Sequence, residues 1–208
     1  MKKELEKRAY TFDIDTQETG NTLIGRPIVY GSRTDMNWFD EVIEPGALDK
    51  TDLQDVRFLV NHDLSRIPLA RSRRNSKNST MQLTPDPEGM QIRVTLDTEN
   101  NADARALYSA VERGDISGMS FMFSVSDEEW ENLDTEHPTR HIRSISSIVE
   151  VSAVTFPAYE DTDIQARSKE AVETARSALE NARQERGQSV ETDLLELEKE
   201  KAKLLGGI

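Results

Sequence analysis

GDISGMSFMF, from Gly114 to Phe123, sets a serine among small residues in the middle of an apolar run. Two-residue alternation puts Met119, Phe121, Phe123 and Val125 on one strand face and Gly118, Ser120, Met122 and Ser124 on the other. Ser120 therefore points away from the core, and the question is what its hydroxyl does there.

Just upstream, ADARALYSAVERG changes period, with apolar residues at Ala106 or Leu107, then Ala110 and Val111. The spacing predicts a helix of about three turns, N-capped by Asn101 and stopped by Gly114, that delivers the chain into the Ser120 strand. Further out, from Thr22 to about Pro157, short β-branched and aromatic runs alternate with Gly, Pro and Asn clusters: TLIGRPIVYG, DVRFLVNHD, GMQIRVTLD and IRSISSIVEVSAVTF. That rhythm predicts a compact β-sandwich or barrel. TPDPEG, Thr84 to Gly89, reads as a turn in which prolines fix φ, the aspartate accepts a backbone bond and Gly89 takes φ > 0.

After Asp163 the composition shifts to Ala, Glu, Arg, Lys and Leu. Ala171, Ala175, Ala178 and Ala182 recur at steps of four and three, and Val190, Leu194, Leu197 and Leu204 resume the pattern with Lys201 between. This predicts a long helix with a weak coiled-coil stripe, against which stands a solvated or disordered tail, since the first half offers little but alanine to bury. The expected division is a domain over 1–163, its β core from about 21, and a helical tail over 164–208.

Across all 208 residues, 36% are hydrophobic and 31% charged, which fits one folded domain with a solvated appendage. The net charge of −13 opposes a phosphate backbone, so nucleic acid is not expected as a partner. The N-terminal MKKELEKRAYTF lacks the apolar segment of a secretory signal, and no run approaches the roughly 18 apolar residues of a membrane span. A soluble, intracellular protein is expected. Cysteine is absent, which removes disulfides, thiolate zinc sites and thiol nucleophiles together.

A serine is commonly activated by an imidazole that takes its proton. There are three histidines: His62, His137 and His141. His137 and His141 have the i, i+4 spacing of two metal ligands on a helix, yet Pro138 makes HPTRHIR a loop entering a strand, and no metal is expected. His62 closes DVRFLVNHD at a strand end, where it either faces a cleft or merely caps the strand. Along IRSISSIVEVSAVTF, alternation gives Ile145, Val149 and Val151 one face and Ser144, Ser146, Ile148, Glu150 and Ser152 the other. Glu150 is an isolated acid whose charge needs a partner: a histidine to orient, or an arginine such as Arg143 or Arg71.

The ordered blocks GRPIVYGS, FDEVIEPGAL, VRFLVNHD, GDISGMSFMF and IVEVSAVTFPAYEDT resemble the phage prohead (capsid maturation) protease family over roughly Asn21 to Arg167. The resemblance implies a mainly β fold with helices (α+β), a small barrel like that of the herpesvirus assemblins, and serine endopeptidase chemistry without a cofactor. It implies Ser120 as nucleophile, His62 as general base and Glu150 as third member, with His141 and then Asp63 as alternatives, because assemblins use a second histidine. The arginine pair that follows the assemblin nucleophile strand has no counterpart after Ser120; Arg73 and Arg74 precede it, and backbone amides or Arg71 are left as oxyanion donors. The implied substrates are the major capsid protein, the scaffold protein and the protease itself, inside the immature capsid in the host cytoplasm. A homo-oligomer is implied by analogy. The competing expectation is a noncatalytic capsid scaffold or assembly chaperone; an amide hydrolase unrelated to capsids would need a small-molecule pocket.

Overall fold

The apolar faces read from the sequence meet in one core. The computed structural model describes residues 5–10, 14–16, 20–155 and 169–205. One sheet holds seven strands: β1 (Glu6–Tyr10), β4 (Arg33–Asp35), β5 (Asp40–Ile43), β6 (Asp55–Val60), β7 (Ala70–Arg73), β10 (Gly118–Glu131) and β11 (Thr139–Val154). The other holds four: β2 (Ile14–Thr16), β3 (Thr22–Val29), β8 (Met81–Asp86) and β9 (Gly89–Thr95). Leu23, Ile28, Met90 and Ile92 of the smaller sheet bury against Phe58, Phe121, Phe123 and Val151 of the larger one. Helix α1 (Ala102–Glu112) closes the core with Ala104, Leu107 and Val111.

Fold class thus stands as mixed α+β, mostly strands, but the barrel does not. Among the described residues no pairing closes either sheet on itself. Strand structure also begins earlier than expected, because β1 and β2 precede Thr22.

The long pair β10–β11 organises the rest. β10 covers one edge of β11, while β5 and β6 share its other edge in parallel, at Thr139–Ile142 and Glu150–Ala153. Strict alternation fails along this pair. Ile148, not Val149, joins the core, since Met122 pairs with Glu150 and Phe123 with Ile148, leaving Val149 as an extra residue. Such a bulge shifts the face of everything beyond it. Glu150 and Ser152 lie on the near side of the bulge and keep the face shared with Ser120 and Met122.

One local reading holds in detail and a second in part, because Thr84, Pro85 and Asp86 belong to β8 and only Pro87 and Glu88 stand between the paired strands. The Asn101 side chain accepts from the backbone N–H groups of Asp103 and Ala104, at 2.9 and 3.3 Å, and Gly114 ends the helix at φ +76°. In the β8–β9 turn, Asp86 accepts the Glu88 N–H at 2.9 Å and Gly89 sits at φ +143°. A Cβ on Gly89 would lie 2.0 Å from the Ile28 carbonyl oxygen, so only glycine fits.

Helix α2 (Lys169–Leu205) forms the end of the described chain. Its alanine half is the docked part: Ala175 and Leu179 bury in a second cluster with Met36, Phe39 and Leu133. Val190, Leu194, Leu195 and Leu197 are exposed.

Candidate active site

Position 62 is set by the end of β6. That strand runs parallel to β11 as far as Val60 opposite Ala153, and then Asn61 and His62 both take positive φ, +52° and +57°. Asp63 donates its N–H back to the Val60 carbonyl at 3.1 Å, closing a tight turn with the type I′ sign at both central residues. Asparagine suits this conformation better than histidine does. The Asn61 amide also clamps Thr155: Nδ2 donates to Oγ1 at 3.0 Å, and Oδ1 accepts the Thr155 N–H at 3.0 Å. The turn thereby folds the imidazole over the face that carries Ser120 and Glu150.

The three residues that sequence reasoning named for this site come together. His62 Nε2 lies 2.6 Å from Ser120 Oγ, and His62 Nδ1 is in short contact with Glu150 Oε1. Ser120 and Glu150 are buried, at 0% and 1% exposure, and the His62 side chain is 13% exposed, so the imidazole is the exposed member of the group. An ionised carboxylate only accepts, which assigns the Nδ1 proton to the His62–Glu150 bond and leaves Nε2 to exchange a proton with the serine.

Two partners were not foreseen. Ser152 Oγ donates to Glu150 Oε2 at 2.7 Å and accepts the His62 backbone N–H at 3.1 Å. Ser120 Oγ also lies 2.6 Å from the Arg8 carbonyl oxygen of β1. A hydroxyl has one proton to give. With His62 doubly protonated, Nε2–H donates to Oγ and the hydroxyl donates to Arg8; with His62 neutral, the hydroxyl can turn to Nε2.

β1 is anchored on its other face by buried charge. Arg8 binds Glu41 at 2.5 and 2.8 Å and Glu6 at 2.6 Å, while Arg140 binds Glu6 at 2.6 and 2.9 Å and Glu41 at 3.0 Å. Burial works to raise Glu6, but the Arg8 charge and the Arg140 bonds outweigh it and hold its carboxyl down at about 2. No hydrophobic pattern signals this cluster; EKR in the N-terminal stretch reads as solvated until its partners arrive.

The alternatives lie elsewhere. His141 is nine residues before Glu150, about 30 Å along a strand, and its Nδ1 is 2.6 Å from Glu44. Asp63 accepts the Ser65 N–H at 3.0 Å and its hydroxyl at 2.5 Å, bonds that depress its carboxyl and tie it to its own loop. Arg71 is held by Asp55 through two bonds of 2.6 and 2.8 Å, and Arg143 by Glu129, so neither compensates Glu150. His137, in the β10–β11 connection, contacts Asp40 at 3.2 Å, and with Asp35 of the β4–β5 hairpin the three form a cluster of cation-ligand type, where Arg33 already binds Asp40 at 2.7 Å. Beside the His62 turn lies a cleft of about 430 Å³, lined by Leu59, Asn61, Asp63, Ile67, Ala106 and Ile116 among others. Among the described residues no helix is long and apolar enough to cross a membrane.

Comparison with known proteins places this geometry in context. The family described as Caudovirus prohead serine protease matches residues 7–177. The prohead protease of Enterobacteria phage HK97 is 29% identical over 140 residues, which are 65% of this chain and 57% of that protein. The chain thus spans less than two thirds of that relative's length. No solved structure matches it.

Proposed function

The chain belongs to the Caudovirus prohead serine protease family, and from that premise we propose that it is a serine endopeptidase acting through Ser120, His62 and Glu150. The observation that supports this reading is the continuous path from Ser120 Oγ, 2.6 Å from His62 Nε2, through the imidazole to the Glu150 carboxylate. In the first step His62 takes the hydroxyl proton at Nε2 as Oγ attacks the scissile carbonyl carbon. Glu150 keeps the other proton on Nδ1 and stabilises the imidazolium that forms. Nε2 then returns the proton to the leaving amine, and water, activated by the same nitrogen, releases the acyl group. The developing oxyanion requires donors in addition to these three residues.

The substrates in this reading are the major capsid protein and the scaffold protein, with the protease itself, inside the immature capsid in the host cytoplasm. The apolar cleft beside the His62 turn is suited to a substrate side chain. The protease domain in this reading covers 1–163 and the tail 164–208, and the exposed Val190, Leu194 and Leu197 of the tail serve docking or homo-oligomerisation. That same exposed stripe favours, as second reading, a noncatalytic scaffold or assembly chaperone.

Intact-mass analysis of the full chain and Ser120→Ala, each incubated with capsid and scaffold proteins under assembly conditions, separates the two. Cleavage by the parent that vanishes in the variant is expected. Identical masses from both would leave the assembly role.

A further inference from the structure

We propose that Ser152 is a positioning residue, whose hydroxyl fixes the acid and the backbone of the base to one another. The inference rests on the reading of Ser120, His62 and Glu150 given above. Ser152 faces Ser120 directly across the β10–β11 ladder and is 0% exposed, so water does not compete for its bonds. Its single proton goes to Glu150 Oε2 at 2.7 Å, which leaves the oxygen lone pairs toward the His62 N–H at 3.1 Å.

Each bond removes a freedom that would misplace the proton relay. The terminal torsion of a glutamate is broad, so nothing intrinsic aims one oxygen at Nδ1. Holding Oε2 leaves Oε1 for the imidazole. On the other side, His62 is in the left-handed region at φ +57°, a conformation that persists only where its surroundings hold it. The Ser152 oxygen satisfies the backbone N–H of that residue. One buried atom therefore sets both the rotation of the acid and the station of the base. With its proton given to the carboxylate, Ser152 is poorly placed to act as a second nucleophile.

The test uses the full chain and a fluorophosphonate probe. In that reaction Ser120 Oγ forms a bond to phosphorus as fluoride leaves, and the serine proton passes to His62. Ser152→Ala is expected to lower the saturating labelling rate about tenfold or more while the half-saturating concentration stays unchanged, because binding is untouched and only the relay is disordered. In a Glu150→Gln background the same change should cost clearly less than it does in the parent, because only the tie to the His62 backbone N–H is then left to lose. The hydrogen-bonded His62 Nδ1 proton resonance should move upfield in Ser152→Ala. Thermal melting checks that each variant is folded, and Ser152→Cys, which keeps a weaker donor, carries the same expectations in smaller degree should the alanine variant not fold. Labelling of Ser152→Ala within twofold of the parent, or an equal loss with and without Glu150, would overturn the proposal. A parent that is not labelled at Ser120 would overturn the underlying triad, and that result is read from the parent alone.

Discussion

Ser120 and Glu150 are both buried, so each substitution in this group has a definite physical reading. In Glu150→Gln, Ser152 still donates to whatever stands at Oε2 and so selects the amide oxygen there, turning the NH₂ toward His62 Nδ1. The imidazole is then forced to carry its proton on Nε2, the wrong nitrogen for accepting from Ser120. Turnover is expected to fall roughly 10³–10⁴-fold with the melting temperature little changed. Unfolding of that variant instead would mark Glu150 as a structural charge. Gly89 gives a purely structural counterpart. Gly89→Ala puts a methyl 2.0 Å from the Ile28 carbonyl oxygen at φ +143°, and a loss of more than about 2 kcal/mol is expected in denaturant melts, whereas Gly20→Ala, with open space around it, should cost less.

At the level of elements, the N-terminal strand and helix α1 are held by different forces. Helix α1 depends on its cap, and Asn101→Ala should cost about 1 kcal/mol by chemical denaturation. Strand β1 depends on charge. Glu6 has a folded-state carboxyl lowered from 4.5 to about 2, so its contribution is present above about 4.5 and is lost as pH falls toward 2. Melting temperature should drop across that window, and Glu6→Gln should flatten the drop while destabilising the protein near neutrality, because Arg8 and Arg140 lose a buried counter-charge. Of these two elements only α1 was legible in the sequence. The α1 cap and stop, the bend between Asp86 and Gly89 and the strand runs from Thr22 onward are local signals that the sequence carries, although the bend is shorter than the stretch from Thr84 suggests. β1 was not legible, since Glu6 and Arg8 belong to no apolar pattern, and their partners Arg140 and Glu41 lie 134 and 33 residues away. The bulge at Val149 was missed for a related reason: a bulge is a property of a strand pair, and alternation sees one strand at a time.

For the whole molecule, two sheets share one core, and the cleft at the end of β6 lies between α1 and the loop that follows His62. Ala106→Trp, which fills this cleft from the exposed side of α1, should reduce peptide turnover at least about tenfold yet leave fluorophosphonate labelling of Ser120 near the parent rate. Equal effects on both would remove the cleft from the substrate path. The tail divides in the same manner. Leu179→Asp should lower the melting temperature by unseating α2 from Met36, Phe39 and Leu133, while Leu194→Ser together with Leu197→Ser should leave it unchanged and alter only association.

Nearby residues encode the strand runs from Thr22 onward, both ends of helix α1 and the bend before Gly89, and blocks kept in order pointed to the three residues that meet at the site. Tertiary structure alone decided that the described strands fall into two sheets, neither closed on itself among the described residues, that Ser152 and the Arg8 carbonyl join the group, and that four charged side chains of β1, β5 and β11 are buried together. Those outcomes depend on which distant strand lies alongside, and a charge or a hydroxyl carries no mark of its partner until the chain has brought the two within hydrogen-bonding distance.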